Sequence, residues 1–238
     1  MTLWLEGKTA LVTGAGRGIG QATAQLLAAQ GANVLASDLD AASLLKTVSS
    51  IKHTGGSAHP LPGDVTEGNF AEQLVEEALQ IYGGLDILVN NAGFTWDGTV
   101  HKMTDEQWQA ILDVHLTAPF RIIRAAAPYF RETAKREIVE RGAARARKIV
   151  NVSSTSGTRG NFGQANYSAA KAGVIGLTRT LAREWGRFNI QANCVAFGMI
   201  DTRLTRHKEA GEKIRRGDSE ISLGIPDQMR QEDRKSVV

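Results

Sequence analysis

A single cysteine, Cys194, stands among the 238 residues, so no internal disulfide can form and the framework of a small secreted domain is excluded. The N-terminus, Met1-Thr-Leu-Trp-Leu-Glu-Gly-Lys8, has neither a basic start nor a long apolar stretch, and a reducing, cytoplasmic setting is expected. Long apolar runs are missing too. The longest charge-free stretch, Gly18 to Ser37, is broken by Gln21, Gln25, Gln30 and Asn33, too polar for a bilayer span, so no membrane partner is expected. Proline is scarce, 5 residues against 25 glycines, and 42% of residues are hydrophobic and 22% charged, which excludes collagen-like, coiled-coil and disordered classes. The histidines, at 53, 59, 101, 115 and 207, show no ligand spacing, and no metal is expected. A net charge of only +3 raises no expectation of a nucleic-acid partner.

What is present is room for one large α/β domain and a sizeable core. Short apolar runs recur, each followed by a helix-length segment: Thr9–Thr13, Asn33–Ser37, Asp86–Asn90, Lys148–Val152 and Ile190–Ala196, with a weaker strand at Ser57–Leu61 and a helix from about Asn69 to Tyr82. Strands alternating with helices predict one doubly wound, Rossmann-like parallel sheet with helices on both faces. Residues 1–202 read as this domain. Residues 203–238 turn polar and charged, supply no convincing final strand, and read as an atypical tail that includes part of a substrate loop.

The turn after the first strand, Thr13-Gly-Ala-Gly-Arg-Gly-Ile-Gly20, opens a helix. Glycines there let backbone N–H groups approach a pyrophosphate at the positive helix end, and Gly14, Gly18 and Gly20 follow a Gly-x-x-x-Gly-x-Gly spacing rather than G-x-G-x-x-G. Asp38 ends the second strand, where a carboxylate accepts hydrogen bonds from a ribose diol and repels a 2′-phosphate; an N-cap for the helix near Ala41 is the plainer role. Arg17 argues for NADP by offering a guanidinium to that phosphate. The carboxylate outweighs it, because an unpaired surface arginine simply stays hydrated, and NAD is favoured over NADP.

Tyr167 and Lys171 stand at i and i+4 on one helix face, thirteen residues after Ser154 at the end of the fifth strand. A tyrosine with an ordinary pKa of about 10 needs a shift of about three units, roughly 4 kcal/mol, to act near neutrality, which an adjacent ammonium helps supply. Together with Asn90-Asn-Ala-Gly93 and the glycine turn, these ordered motifs resemble the short-chain dehydrogenase/reductase superfamily over about residues 5 to 205. The segment Gly163-Gln-Ala-Asn-Tyr-Ser-Ala-Ala-Lys-Ala-Gly173 is most similar to 3-oxoacyl-(acyl-carrier-protein) reductases.

The resemblance implies hydride exchange between a nicotinamide cofactor and a small carbonyl or alcohol substrate. Tyr167 would be the acid/base, Ser154 the holder of the substrate oxygen and Lys171 the group that also reaches the nicotinamide ribose. It further implies that Gly14, Arg17, Gly18, Ile19 and Gly20 cradle the cofactor, Asp64 and Val65 contact the adenine, Asn91, Ala92 and Gly93 line its ribose side, and Ile200 and Thr202 meet the carboxamide. His115 stands where the family usually has an asparagine that holds a relay water; it follows Leu112 and Ile111 on the core-facing side and is expected to hold that water through a ring nitrogen, a satisfied core histidine being the bland alternative. Phe197-Gly198 replaces the usual Pro-Gly. The family's last helix and strand are not readable in 203–238, which favours a homodimer, through the helices carrying Trp108 and Tyr167, over a tetramer. Arg131 to Lys148 holds seven Arg/Lys against three Glu, read as a solvated helix face, or as a dock for an acidic acyl carrier protein. The alternative function is a non-catalytic, dinucleotide-binding regulatory module.

Overall fold

Thr9–Thr13 (β1) is buried along its whole length, as a central parallel strand must be, because helices cover both its faces. The structure, a computed structural model, describes residues 3–206, 211–216 and 219–224. From β1 the chain runs through α1 (Gly18–Ala29), β2 (Asn33–Asp38), α2 (Ala41–His53), β3 (Ser57–Pro62), α3 (Phe70–Tyr82) and β4 (Ile87–Asn90). Then follow α4 (Asp105–Leu112), a π-helical turn at Asp113–Thr117, α5 (Ala118–Arg141), β5 (Arg147–Ser154), the short α6 (Ser156–Arg159), α7 (Ala165–Trp185) and β6 (Ile190–Phe197). All six strands are parallel, in the order β3-β2-β1-β4-β5-β6. The order reverses beside β1, so loops leaving β1 and β4 diverge and open a crevice at the strands' carboxyl ends.

Period-two alternation sorts the strand residues between two cores. Leu11, Leu35, Leu88 and Ile149 face α3, α4, α5 and α7, where Phe70, Leu74, Ile111, Ile122, Phe130 and Leu181 pack. Ala10, Val12, Val34, Ala36, Ile87 and Val89 face α1 and α2, against Ala24, Ala28, Leu44, Val48 and Ile51. Register keeps each set aligned across strands: Leu11 pairs with Leu35 and Leu88, and Ala10 with Val34 and Ile87. Among the described residues β6 is an edge strand, and the face of β5 and β6 turned from α7 is half open, with Val195 exposed.

One expectation needs correction, and the tail adds a feature of its own: β7 (Lys213–Arg216) and β8 (Ser219–Ser222) form an antiparallel hairpin separate from the main sheet, so among the described residues no further strand joins the parallel sheet after β6. Ile221 and Leu223 are buried against the main core, which anchors a segment whose other residues are mostly polar. Any last helix and strand falling in residues 225–238 lies outside the described residues. The cap of α2 is Asp40, not Asp38: its side chain accepts the Ser43 N–H. No helix among the described residues is long and apolar enough to cross a membrane.

Candidate active site

A cleft of about 500 Å³ opens at the reversal of strand order. Its wall gathers Gly14, Arg17, Gly18, Ile19 and Gly20 from the β1 loop, Asp38 from β2, Asp64 and Val65 from beyond β3, and Asn91, Ala92 and Gly93 from beyond β4, with Thr202. Ile200 does not join them; its side chain is exposed outside the wall. Sequence reasoning missed Phe94, Val114, Leu204, Arg206, Glu212 and Ile214, which also line the cleft. The last four come from the polar tail, where single apolar residues among charges give no periodic signal.

Backbone needs dictate the glycine turn. A Cβ on Gly20 would sit 2.0 Å from the Gly14 carbonyl oxygen, so only glycine lets the first turn of α1 press against the loop. Asn91 fixes that loop from the other side, its Nδ2 donating to the Thr13 and Gly14 carbonyls at 3.0 and 3.1 Å. The Thr13 hydroxyl accepts the Asn91 and Ala92 N–H groups, both at 3.1 Å. The Asn91 Nδ2 group is therefore spent on holding the loop. Asp64 likewise holds Thr66, accepting its N–H at 2.8 Å and its hydroxyl at 2.7 Å.

The N-terminus of α1 carries no side-chain cap, which leaves its first-turn N–H groups turned to the cleft as donors for an anion. Uncapped donors, a wall closed by glycines and a carboxylate at the end of β2 fit a dinucleotide: pyrophosphate on the helix end, ribose hydroxyls on Asp38. Both oxygens of Asp38 already accept backbone N–H groups, of Gly16 at 2.8 Å and Asp40 at 2.9 Å, which fixes the carboxylate in place.

Ser154, Tyr167 and Lys171 lie just outside this wall, and His115 joins them to it. The ring fills the space beside Gly93, where a Cβ would come within 2.0 Å of His115 Cε1, and meets the Tyr167 ring edge-on with centroids 5.0 Å apart. The π turn at Asp113–Thr117 carries His115, buried to 4% exposure; such a bulge re-aims side chains that a regular helix would rotate away. His115 Nε2 lies 2.7 Å from the Phe94 carbonyl oxygen, an acceptor, so Nε2 carries the hydrogen and Nδ1 keeps its lone pair. Nδ1 is buried with no hydrogen-bond partner among the described residues. Burial and then the Lys171 charge hold His115 well below the ordinary imidazole pKa, against a weaker opposing pull from the Phe94 carbonyl, so the ring is neutral at pH 7.

Lys171 is buried, and its Nζ donates to the Val152 carbonyl at 2.6 Å while lying 5.6 Å from the Tyr167 ring centroid. Burial brings its pKa from 10.5 down to about 7. Tyr167 moves opposite to expectation. Burial raises its pKa, and the hydrogen bond with Ser154 offsets only part of that, so the protein surroundings keep the phenol protonated.

Polar residues overlooked in the sequence hold these groups. Asn166, fully buried at the start of α7, accepts the Tyr167 N–H at 2.7 Å and donates to the Trp96 and Gln107 carbonyls. Ser153 donates to the Lys171 carbonyl at 2.8 Å. Asn90, Asn151 and Thr178 form a buried chain from β4 through β5 to α7, at 2.8 and 2.9 Å. Networks of this kind stiffen what they connect, although Asn90 Oδ1 is left without a hydrogen-bond partner among the described residues.

Comparison with known proteins adds four findings. A family model described as short chain dehydrogenase matches residues 8–213. The chain is 42% identical over 201 residues to a 3-oxoacyl-(acyl-carrier-protein) reductase of Thermotoga maritima, covering 84% of this chain and 77% of that one. It is also 42% identical over 196 residues to a hydroxyacyl-CoA dehydrogenase of Mycobacterium tuberculosis, covering 80% and 61%. Among solved structures, a short chain dehydrogenase from Mycobacterium smegmatis superposes with a TM-score of 0.74 at 38% identity, over 84% of this chain and 80% of that one.

Proposed function

The chain belongs to the short chain dehydrogenase family, an NAD(P)-dependent oxidoreductase, and from that premise we propose that it interconverts 3-oxoacyl and 3-hydroxyacyl thioesters, with the acyl chain held on a carrier protein and NAD preferred over NADP. The observation that carries the reading is the gathering of Ser154, Tyr167, Lys171 and His115 against a cleft suited to a dinucleotide. The non-catalytic alternative has no observation in its favour.

A nicotinamide cofactor held in this cleft would supply or accept the hydride. In the reducing direction the Ser154 hydroxyl holds the substrate oxygen, and Tyr167 donates a proton to it. A phenol kept protonated by burial suits a donor. The Lys171 ammonium stabilises the phenolate left behind, and its pKa of about 7 makes that help fade as pH rises through neutrality. His115, neutral and fixed at Nε2, offers Nδ1 as the acceptor for a water that returns the proton toward Lys171. Thr202, Glu212 and, from the hairpin, Ile214 form part of the substrate loop, so the catalytic domain of residues 1–202 borrows from 203–238.

Asp38 supports the NAD preference, as do the engagements of Arg17 described below. The seven basic residues of 131–148 support docking of an acidic carrier; one of them, Arg147, is instead spent inside, paired with Glu137. A homodimer is supported by the half-exposed Trp108 and Phe120 and by Ala169 and Gly176 on the outer face of α7. Ala170 and Gly173 do not belong to that face: Ala170 is fully buried, and Gly173 packs on Leu116. A cytoplasmic setting agrees with the single cysteine.

The test is turnover: oxidation of NADH and NADPH with 3-oxoacyl thioesters of acyl carrier protein and of coenzyme A, against small diketones and ketosteroids. Reduction of thioesters at rates above the other ketones is expected. Turnover of the other ketones alone would replace the substrate class, and no turnover at all would sink the reading.

A further inference from the structure

Asp40 stands two residues past Asp38 at the nucleotide end of the cleft, next to Arg17, Asp38 and Leu39 of its wall. Its carboxylate collects three donors. Oδ1 accepts the Ser43 N–H at 3.1 Å, Oδ2 accepts the Ser43 hydroxyl at 2.8 Å, and Oδ2 also takes Arg17 Nη2 at 2.5 Å. Arg17 is held at a second point, its Nε donating to Ser43 Oγ at 2.8 Å. The Ser43 bonds first, and then Arg17, lower the Asp40 pKa to about 2, so the group is an anion at any working pH.

A guanidinium, a hydroxyl and a backbone N–H converging on one anion make the donor set with which proteins bind a phosphate monoester. Here a residue of the chain itself fills it. Arg17, the feature that favours a 2′-phosphate in the sequence, is therefore engaged and neutralised by a nearby carboxylate while still lining the cleft. The Arg17–Asp40 pair is itself partly exposed, at 51% and 36%, and adds little to stability.

We propose that Asp40 is a specificity-determining residue: its carboxylate occupies the donors a 2′-phosphate would need, so that Asp40 and Asp38 together restrict the cleft to an unphosphorylated adenosine ribose. The proposal rests on the dinucleotide reading above. Removing the Asp40 charge releases Arg17 and Ser43 toward a phosphate, while Asp38 still serves the ribose.

Calorimetric titration of the intact protein with 5′-AMP, 2′,5′-ADP, NAD⁺ and NADP⁺ tests it without relying on turnover. Asp40→Ser keeps a hydroxyl able to cap α2, and Asp40→Asn keeps the shape of the side chain. Either variant should bind 2′,5′-ADP at least about fivefold more tightly relative to 5′-AMP than the wild type does, with 5′-AMP affinity within about twofold. Adding Arg17→Ala to Asp40→Ser should cancel the gain, and equal melting temperatures would establish that folding is unaffected. The proposal is overturned if both variants keep the wild-type ratio, if the gain survives Arg17→Ala, or if the wild type already favours 2′,5′-ADP. Failure of the wild type to bind NAD⁺ or NADP⁺ would instead bring down the dinucleotide reading itself, a result distinct from tight NAD⁺ binding with an unchanged ratio.

Discussion

Replacing Lys171 with methionine should stabilise the fold while destroying the activity, and the gain should depend on pH in a way set by one number. Buried Lys171 has its pKa lowered from 10.5 to about 7. In the unfolded chain the ammonium keeps its proton up to about pH 10.4, so folding anywhere between pH 7 and that value must release one. Stability attributable to this group is therefore lowest below pH 7, rises by about 1.4 kcal/mol per pH unit through the window, and levels off above it. The full span is roughly 5 kcal/mol, from which about 1 kcal/mol is subtracted for the bond to the Val152 carbonyl that methionine cannot make. Urea denaturation of wild type and Lys171→Met at pH 7.5, 8.5 and 9.5 reads the difference directly. These conditions keep His115 neutral in both proteins and the raised Tyr167 protonated. The expected advantage of the variant shrinks by about 3 kcal/mol across those two pH units. Parallel stability curves for the two proteins would show that Lys171 is charged and compensated in the native state, and the reasoning would fail.

Tyr167→Phe removes only the hydroxyl, so cofactor binding by titration should persist while kcat falls about a hundredfold or more; near-normal turnover would refute its role as proton donor. Wild-type kcat/KM for carbonyl reduction should fall as pH rises through about 7, since only protonated Lys171 stabilises the phenolate; a profile flat from pH 6 to 9 would contradict this. His115→Phe keeps a ring against Gly93 and Tyr167 but removes both nitrogens, and kcat should drop about tenfold or more with cofactor affinity unchanged, whereas an unchanged kcat would reduce His115 to core packing. Glu137→Gln strands the buried Arg147, whose Nη1 and Nη2 both donate to that carboxylate, at 3.0 and 2.9 Å; chemical denaturation at pH 7 should show a loss of about 3–5 kcal/mol. Arg147 holds the Glu137 pKa at about 2 against an ordinary 4.5, so this contribution is present above about pH 4.5 and is lost as pH falls toward 2, a slope the variant should lack.

The six parallel strands were legible because strands covered on both faces must be apolar runs, and Thr9–Thr13 is the clearest. β5 begins one residue earlier and ends two later than its apolar run. Arg147 and Ser153 belong to it through the ladder with β6, opposite Ile190 and Ala196, while their side chains pair with Glu137 and bond to the Lys171 carbonyl. Those partners are distant in sequence, which is why a local pattern cannot reveal them. The same holds for α2: Asp38 and Asp40 both suit a cap by residue type, and only the folded loop assigns Asp38 to Gly16 and Asp40 to Ser43. Spacing identified Tyr167 and Lys171 because i and i+4 share a helix face, but it carried no information on burial, and burial decides the direction of both pKa shifts.

Six buried polar groups lie where the chemistry is proposed. His115, Asn151, Ser153, Asn166, Lys171 and Thr178 are all at most 5% exposed, and they cluster around the ends of β4 and β5 and the first half of α7. Most have bonded partners and merely stiffen the frame, as polar residues inside a protein usually do. Lys171 differs. Glu137 and Arg147, at the other end of β5, neutralise one another, whereas among the described residues Lys171 joins no ion pair and meets a neutral carbonyl. Keeping an uncompensated amine there costs stability at neutral pH that a methionine would not, and packing supplies no return for that cost. A reaction that leaves negative charge on the neighbouring tyrosine does, because the ammonium then gains its counter-ion only at the moment the proton is given up.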